Sequence, residues 1–481
     1  MTIQRFGSFS ELEQAANGLV RIEPDGIDIL NEGAVRGEFI DRLAWTSAFG
    51  ETDVRDASRW LIRHLAEASG AWTASIHDLY RAAGRNEYAN ATTPAINLRM
   101  IAYDLAQTVF QAARETGTRQ ILFELARSEM GYTAQRPGEY ASSVLAAAVK
   151  EGWKGPVFIQ GDHYQASLRA WGKDPAAELD AVRSLTLEAL AAGYGNIDID
   201  SSTLVDLSRD GLRHQQEPNY VTTAILTKAI RDAEPDGVTI SIGGEIGEVG
   251  LQNSTVDDLD AFMEGYLEEL ARLGRATGRT YTGISKISVQ TGTSHGGVVL
   301  PDGSIKEVSV DFGTLAELSE VAKRKYGLGG AVQHGASTLP ESAFSQFADA
   351  NAVEVHLATA FQSAIFDADA FPDDLRAMMY AYLDATHADE RKDGMTDAQF
   401  YYTARKRAIG PFKREVWSLE SGRKGEILDE LRGRFALIMR ELGVAGRGEL
   451  VDRLVPRVPF PIVRDEGVIE LASVDLGDEG E

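Results

Sequence analysis

The stretch PAINLRMIAYDLAQTVFQAARETGTRQILFEL, residues 94–125, decides the fold class of this chain. It begins with a short apolar run and continues with apolar residues at three- and four-residue spacing up to Gly117. That spacing, closed by a glycine, indicates an amphipathic helix. A second apolar run follows at 119–125. The stretch therefore predicts one strand–helix–strand unit of a parallel sheet.

The same alternation of short apolar runs and longer helical patterns continues to residue 359. Eight runs have strand character: 94–100, 119–125, 156–162, 196–202, 238–246, 284–292, 330–337 and 352–359. Eight strand–helix units predict an α/β protein with a closed parallel (β/α)8 barrel, the TIM barrel. An open doubly wound sheet is the alternative, but no G-x-G-x-x-G motif follows the first strand.

Helical patterns also flank the predicted barrel. Residues 53–68 and 72–85 place apolar groups at helical spacing, with Asp53 and Thr73 as their caps. We predict four parts: a mainly helical N-terminal extension at 1–93, the barrel at 94–365, a helical C-terminal extension at 366–450 and a tail at 451–481.

The formal net charge of −25 at pH 7 argues against nucleic acid or an anionic membrane surface as a partner, because both would repel the chain at long range. The sequence contains no cysteine, so a metal ion would be bound by His, Asp or Glu. No apolar run approaches the roughly 20 residues of a membrane helix, and the start lacks the pattern of a secretory signal. These features predict a cytoplasmic protein.

Metal-binding residue types recur at the ends of the predicted strands, where a (β/α)8 barrel has its mouth. A lone histidine is more often structural than a ligand, but several imidazoles facing one opening need separate hydrogen-bond partners unless they share an ion. With a carboxylate they form the ligand set of a catalytic zinc or similar divalent ion. The candidate ligands are His163, Glu245, His295 and His334.

Other polar residues near these strand ends are candidates for acid–base chemistry and substrate binding. Asp162 precedes His163, so its carboxylate can face the substrate while the imidazole binds the metal; alternatively, Asp162 orients a ligand. Asp200 and Ser202 end the fourth run, where they can position substrate hydroxyls or the metal, or cap the following helix.

Three features indicate an anionic substrate. The glycine-rich turns at 295–297 and 334–338 expose backbone N–H groups that can hold a phosphate or carboxylate, although glycine also simply makes turns. Thr359 lies where the eighth strand can add a hydroxyl. The basic segment ARKRAIGPFKRE, residues 404–415, is either a solvated helix face or an anion clamp that reaches an adjacent subunit. The clamp would make the protein a homo-oligomer.

Taken together, the motifs of residues 94–365 resemble those of the class II, metal-dependent fructose-bisphosphate aldolases and their tagatose-bisphosphate relatives. The agreement extends to the order and spacing of the motifs. The motifs that carry the resemblance are GDH (161–163), IDIDSS (197–202), GEIGEVG (244–250), GTSHGG (292–297) and QHGAST (333–338).

The resemblance implies a metal site on this barrel. Zinc, or another divalent metal, would be bound by His163, His295 and His334, while Glu245 would serve an alternative, inner metal position. The metal would polarise the ketone of the substrate and stabilise an enediolate.

The resemblance also implies roles for the neighbouring residues. Asp162 would move the proton of the C4 hydroxyl of a ketose (bis)phosphate such as fructose 1,6-bisphosphate. Gly296, Gly335 and Ser337 would hold a phosphate group. The expected enzyme is a zinc-dependent aldehyde-lyase of carbohydrate metabolism and glycolysis.

Three departures from the family pattern affect the substrate pocket. Gln252 and Asn253 replace the paired acids of the family, so its usual proton donor is missing unless Glu248 takes that role. His356 stands where the family has an asparagine at the reacting centre. The phosphate loop is altered to GAST at 335–338.

These departures leave three functions open. The first is aldol cleavage or formation of a ketose phosphate. The second is epimerisation of a ketose or keto-sugar acid, in which Asp162 and His356 would exchange protons with the substrate. The third is a non-catalytic barrel subunit, although such a subunit has no need of a full metal-ligand set.

Overall fold

The computed structural model describes residues 3–23, 26–246, 252–292, 300 and 309–462. Most of these residues belong to a (β/α)8 barrel or to helices packed around it. Among the described residues, the strands are β1 (Val20–Glu23), β2 (Gly26–Ile29), β3 (Ala71–Ala74), β4 (Thr93–Asn97), β5 (Leu122–Ala126), β6 (Gly155–Gln165), β7 (Asn196–Asp200), β8 (Ser241–Glu245), β9 (Lys286–Ser288), β10 (Ala331–Gln333) and β11 (Glu354–Leu357).

Strands β4 to β11 form a closed barrel in which each strand pairs in parallel with the next in sequence. Closure comes from β11 and β4, where His356 is the register partner of Ala95. The predicted (β/α)8 barrel is thereby confirmed. The carboxyl ends of all eight strands lie at one end of the barrel, which is where such folds carry their sites.

An additional strand, β3, pairs in parallel with the first half of β6, with Ala71 opposite Gly155. The prediction that Thr73 caps a helix is therefore wrong, because Thr73 lies within β3 and the helix begins only at His77. The side chain of Asn196 stabilises this arrangement. It accepts a hydrogen bond from the backbone N–H of Ile76 at 2.9 Å.

Helices cover the outside of the barrel and make up most of both extensions. None of the described helices is long and apolar enough to cross a membrane. Among the described residues, the α-helices are α1 (Phe9–Ala16), α2 (Glu32–Ala34), α3 (Ile40–Phe49), α4 (Thr52–Ser69), α5 (His77–Gly84), α6 (Ala102–Thr116), α7 (Arg127–Thr133), α8 (Pro137–Glu151), α9 (Leu168–Trp171), α10 (Pro175–Ala191), α11 (Leu212–Gln215), α12 (Glu217–Ala233), α13 (Val256–Thr277), α14 (Phe312–Tyr326), α15 (Ser345–Asp349), α16 (Thr359–Asp367), α17 (Asp373–Thr386), α18 (Asp397–Ala404), α19 (Lys413–Trp417), α20 (Ser421–Glu441) and α21 (Gly448–Leu454).

The two extensions contact each other through aromatic side chains. The ring of Trp417 lies 5.6 Å from that of Trp45 and 5.3 Å from that of Phe49, edge to face in both pairs. Near the end of the described chain, Phe460 is also buried, so the predicted tail is packed at its beginning. The rest of the tail, from residue 463, lies outside the described residues.

The basic segment at 404–415 packs within the chain. Arg405 contacts Asp367, Arg407 lies 3.0 Å from Glu390, and Nζ of Lys413 lies 2.5 Å from Glu139. Arg405 and Lys413 are buried. These three cations therefore stabilise the C-terminal extension against its neighbours, which differs from both a solvated helix face and an anion clamp.

Candidate metal centre

Asp162 and His163 lie on an irregular part of β6. The pairing register between β6 and β7 shifts between Gly161 and Tyr164, and the φ of His163 is +38°. A non-glycine residue in this left-handed region is strained, and such strain is typical of functional sites. A Cβ on Gly161 would lie 2.4 Å from the buried ring of Tyr164, so only glycine fits there. The irregularity turns both Asp162 and His163 towards the mouth of the barrel.

Carboxylates fix the orientation of His163. Its Nδ1 lies 3.0 Å from Oδ2 of Asp200 and 3.3 Å from Oε2 of Glu245. Asp200 is itself held, because the hydroxyl of Ser202 donates to its Oδ1 at 2.6 Å and the amide of Gln165 donates to its Oδ2 at 2.7 Å. This arrangement, in which a carboxylate receives the N–H of an imidazole, is typical of metal-binding histidines.

The ionisation of these groups reflects burial and the density of charge. Burial opposes protonation of His163, but the charges of Asp162 and Glu245 outweigh it and raise the pKa of His163. Burial, together with the charge of Asp200, raises the pKa of Glu245 to about 7. A cation bound here would relieve the repulsion between the carboxylates.

His334 directly follows β10 and faces His163. The centroids of the two rings are 4.2 Å apart, and the ring of His356 lies 4.0 Å away on the other side of His334. Nε2 of His334 lies 3.0 Å from the hydroxyl of Ser288. Strands β6, β10 and β11 therefore bring three imidazoles together at the barrel mouth, with the rings of His163 and His356 6.5 Å apart.

Asp162 has a buried oxygen that makes no hydrogen bond. Its Oδ1 lies 3.1 Å from Nδ1 of His356 and 4.0 Å from Nε2 of His163, neither in hydrogen-bonding geometry. Burial favours the neutral acid, but the charges of His163 and His356 outweigh it and lower the pKa of Asp162. An ionised, buried carboxylate oxygen beside imidazoles fits either a cation or a substrate hydroxyl.

Several sets of side chains are close enough to hold a metal ion. Imidazole and carboxylate donors suit zinc and similar divalent ions, so the residues present fit the group that the resemblance implies. Within each set the possible ligand atoms lie within 4.8 Å of one another. Among the described residues the sets are Asp162, His163 and His334; His163, Asp200 and Glu245; Asp162, Asp198 and His356; and Glu124, Glu354 and His356.

A layer of buried charged residues lies around His356. Nδ1 of His356 is 3.0 Å from Glu124, and its Nε2 is 2.6 Å from Glu354 and 3.6 Å from Asp198. Nζ of Lys286 lies 2.8 Å from Asp198 and 2.5 Å from Glu354. All five side chains are buried. Lys286 therefore compensates the acids that hold His356.

Burial and the charge of Lys286 have opposite effects on the pKa values of Asp198 and Glu354. Burial raises the pKa of Glu124 to about 8 and that of Asp198 to about 6. The charge of Lys286 outweighs burial at Glu354 and lowers the pKa of this carboxyl to about 2. Burial also disfavours the charged form of Lys286, but Asp198 and Glu354 raise its pKa, so the lysine is a cation.

The sequence-based interpretation missed Glu124, Asp198, Lys286 and Glu354, but a signal for them exists. Each is a charged residue inside an apolar strand, as in ILFEL (121–125), and the alternation of side chains in a strand points it to one face only. In a barrel that face is the interior. A charged residue at an inward position therefore indicates a buried polar network.

A cavity at the barrel mouth adjoins these residues. Its wall contains Asp162, His163, His334 and His356. The predicted substrate-binding residues Gly335, Ser337 and Thr359 also line this cavity. Asp200 and Ser202 are not among the described residues of the wall, and they form the support of His163 instead. Glu248, His295 and Gly296 lie outside the described residues.

Comparison with solved structures finds several similar proteins. The fructuronate-tagaturonate epimerase UxaE from Cohnella laeviribosi matches at 13% identity with a TM-score of 0.52, covering 89% of this chain and 90% of its own. A probable tagatose 6 phosphate kinase from Sinorhizobium meliloti matches at 15% identity with a TM-score of 0.49, covering 75% and 93%. The YdjI aldolase from Escherichia coli matches at 14% identity with a TM-score of 0.41, covering 78% and 99%.

No curated protein matches the sequence. The family model described as "Fructose-bisphosphate aldolase class-II" matches residues 74–407, which include all eight barrel strands and the helices between them. The match covers well over half of the chain. This chain belongs to the class II fructose-bisphosphate aldolase family.

Proposed function

We propose that this chain is a divalent-metal-dependent enzyme that breaks and forms a carbon–carbon bond of a ketose by aldol chemistry. The observation that carries the proposal is the grouping of Asp162, His163 and His334 at the carboxyl end of the barrel of a class II aldolase family member. His163 and His334 would hold the metal together with His295. When bound, such an ion supplies a Lewis acid that polarises the carbonyl of the substrate.

The protein groups would handle the proton that the reaction moves. In cleavage, Asp162 removes the proton of the C4 hydroxyl, the C3–C4 bond breaks, and its electron pair stays with the ketone fragment. Asp162 can take this role because it is ionised and its carboxylate lies in the cavity wall together with His163. The reverse sequence forms the bond and returns the proton.

The first candidate reaction is cleavage of a ketose phosphate such as fructose 1,6-bisphosphate, catalysed by a zinc-dependent aldehyde-lyase. Family membership supports it, since this is the chemistry for which the family is named. Gly335, Ser337 and Thr359 line the cavity beside the metal-binding group, where they would bind a phosphate.

The second candidate is epimerisation at C4 of a ketose or keto-sugar acid. It begins with the same cleavage of the C3–C4 bond. The aldehyde fragment then rotates to present its other face to the ketone fragment, and the C3–C4 bond forms again with the opposite configuration at C4. Two observations favour it. His356 adds a second proton-carrying group 3.1 Å from Asp162 in the cavity wall. The match to the fructuronate-tagaturonate epimerase extends over 89% of this chain, beyond the barrel itself.

The experiment that tests the proposal is a substrate panel with the metal-loaded protein: fructose 1,6-bisphosphate, tagatose 1,6-bisphosphate, fructuronate, tagaturonate and fructose. Coupled assays detect triose release, and NMR detects C4 epimers. We expect turnover of at least one substrate and a loss of about 100-fold or more in Asp162→Asn at unchanged metal content. Absence of turnover on the whole panel, or full activity of the variant, would contradict the proposal.

A further inference from the structure

Arg99 occupies a distinctive place in the cavity wall. It follows β4 at the carboxyl end of the barrel, and its side chain is only 5% exposed. It lines the same cavity as Asp162 and His163. Among the described residues of the wall, Arg99 is the one arginine or lysine. A buried guanidinium beside a reaction site has the chemistry of an anion receptor.

One edge of the Arg99 guanidinium is fixed by Glu129. Oε1 of Glu129 lies 2.7 Å from Nε and 2.6 Å from Nη2 of Arg99. The other oxygen of Glu129 accepts hydrogen bonds from the amide of Asn97 at 2.6 Å and from the backbone N–H of Ala126 at 2.9 Å. The carboxylate is thus anchored on both sides, and it holds the arginine in one orientation before any ligand arrives.

The other edge of the guanidinium faces the start of α16. Nη1 lies 3.5 Å from the hydroxyl of Thr359 and 3.4 Å from Oε1 of Gln362, both at the upper limit of hydrogen-bond length. Ala358, which precedes α16, provides no side-chain cap for this helix. The first N–H groups of a helix carry partial positive charge. Nη1 and the beginning of α16 therefore present positive charge to the same part of the wall.

The rest of the wall limits how much negative charge a substrate can carry. Glu124 and Asp162 line the cavity around His356, and the third acid of the described wall, Glu129, is paired with Arg99. A substrate with one anionic end is attracted to Arg99 and keeps its uncharged hydroxyls near Glu124 and Asp162. A second phosphate would need another cationic group, and the described wall has none besides Arg99 and the histidines.

We propose that Arg99 is a specificity-determining residue that binds the single anionic end group of the ketose substrate. This inference rests on the proposed function and deepens it. The favoured substrate class is a ketose with one terminal carboxylate, that is, a keto-sugar acid. A ketose with one terminal phosphate monoester also has a single anionic end group that Arg99 could bind, and the test below distinguishes the two substrates.

The test compares anionic with neutral ketoses in Arg99→Gln and in the conservative Arg99→Lys. The anionic arms are tagaturonate and fructose 6-phosphate, and the neutral arm is tagatose. We expect the ratio of kcat/KM for the anionic over the neutral substrate to fall about 10- to 100-fold in Arg99→Gln, mainly through KM, and less in Arg99→Lys. The anionic substrate that wild type converts faster shows whether the preferred end group is a carboxylate or a phosphate.

Arg127→Lys is the matched control. Arg127 is an equally buried arginine beside the next strand, and its Nη1 contacts Glu178 at 2.5 Å, outside the described cavity wall. Its replacement tests the general cost of altering a buried arginine–glutamate pair. We expect the ratio of anionic to neutral kcat/KM to stay at the wild-type value. Metal content, measured in every variant, is expected to be unchanged.

Failure of the inference and failure of the proposed function give different results. If wild type converts ketoses but the ratio is the same in wild type and both Arg99 variants, the inference is overturned and the function stands. If wild type converts no ketose, the proposed function fails. The inference is then decided by thermal shift: tagaturonate must raise the Tm of wild type and not of Arg99→Gln, and equal shifts overturn it.

Discussion

Nδ1 of His163 lies 3.0 Å from Oδ2 of Asp200, and the hydroxyl of Ser202 donates to the other oxygen of the same carboxylate. Asp200 thereby fixes the ring and leaves Nε2 of His163 on the side of Asp162. We expect Asp200→Asn to weaken metal affinity about 10- to 100-fold, because it removes the carboxylate that orients a ligand. Competition with a chelator measures this.

The matched control for this prediction is Asp206→Asn. Asp206 accepts the same two hydrogen bonds from Ser208, at 3.1 Å from its N–H and 2.6 Å from its hydroxyl, but it contacts no histidine among its described partners. The affinity of the Asp206→Asn variant for the metal should equal that of wild type. Equal affinity in the Asp200 and Asp206 variants would refute an orienting role of Asp200.

Gly161 is expected to be intolerant of a side chain. In Gly161→Ala, the new Cβ would lie 2.4 Å from the ring of Tyr164, which is fully buried and has no room to move. We expect a loss of about 1–3 kcal/mol in the free energy of unfolding from overpacking. Gly425→Ala, where nothing lies within 4 Å of the new Cβ, should change stability by no more than about 1 kcal/mol. Equal effects in urea denaturation would contradict the packing argument.

Lys286 is expected to be essential for stability. Its Nζ lies 2.8 Å from Asp198 and 2.5 Å from Glu354, and all three side chains are buried. Lys286→Met removes this cation from beside the two buried carboxylates, and we expect it to lower the free energy of unfolding by about 3–5 kcal/mol. Adding Glu354→Gln removes one of the two acids and should restore part of this loss. If Lys286→Met is as stable as wild type, then Lys286 does not compensate the charges of Asp198 and Glu354.

The stability of the metal-free protein is expected to depend on pH through Glu124. Burial, reinforced by the charge of Asp162, raises the pKa of Glu124 from 4.5 to about 8. The folded protein therefore keeps a proton that the unfolded chain releases. This contribution to stability is complete below pH 4.5 and is lost as the pH rises through about 8.

Glu124→Gln, which stays neutral, isolates this effect. The free energy of unfolding of wild type minus that of the variant should fall between pH 4.5 and about 8, by at most about 1.4 kcal/mol per pH unit. Urea denaturation at a series of pH values measures the difference. A difference that is constant over this range, or that rises with pH, would contradict the raised pKa.

The barrel could be predicted from the sequence because its strands follow a strong local pattern. Each apolar run is separated from the next by a helical stretch, as in residues 94–125. The ends of the strands were harder to predict. In the run at 284–292, only Lys286–Ser288 form a strand. Strand β3 was missed because AWTA is short and leads directly into a helical pattern, and its pairing with β6 is a long-range contact.

The candidate site was predictable where a residue stands next to a strand end. The structure groups Asp162 with His163 and His334, and it groups Glu245 with His163 and Asp200. The pairing of Arg99 with Glu129 was not predictable in this way, since this hydrogen bond joins residues that are distant in the chain. A charged residue in an apolar strand also has two possible faces, and only barrel closure decides between them.

We expect a divalent metal to bind beside Asp162 through His163 and His334, with His356 outside its ligand set. The most direct test measures metal content by mass spectrometry after dialysis of wild type, His163→Ala, His334→Ala and His356→Asn. We predict about one metal ion per chain in wild type and in the His356 variant, and loss of that ion in the other two. Full metal content in His163→Ala and His334→Ala, or its loss only in His356→Asn, would contradict the claim.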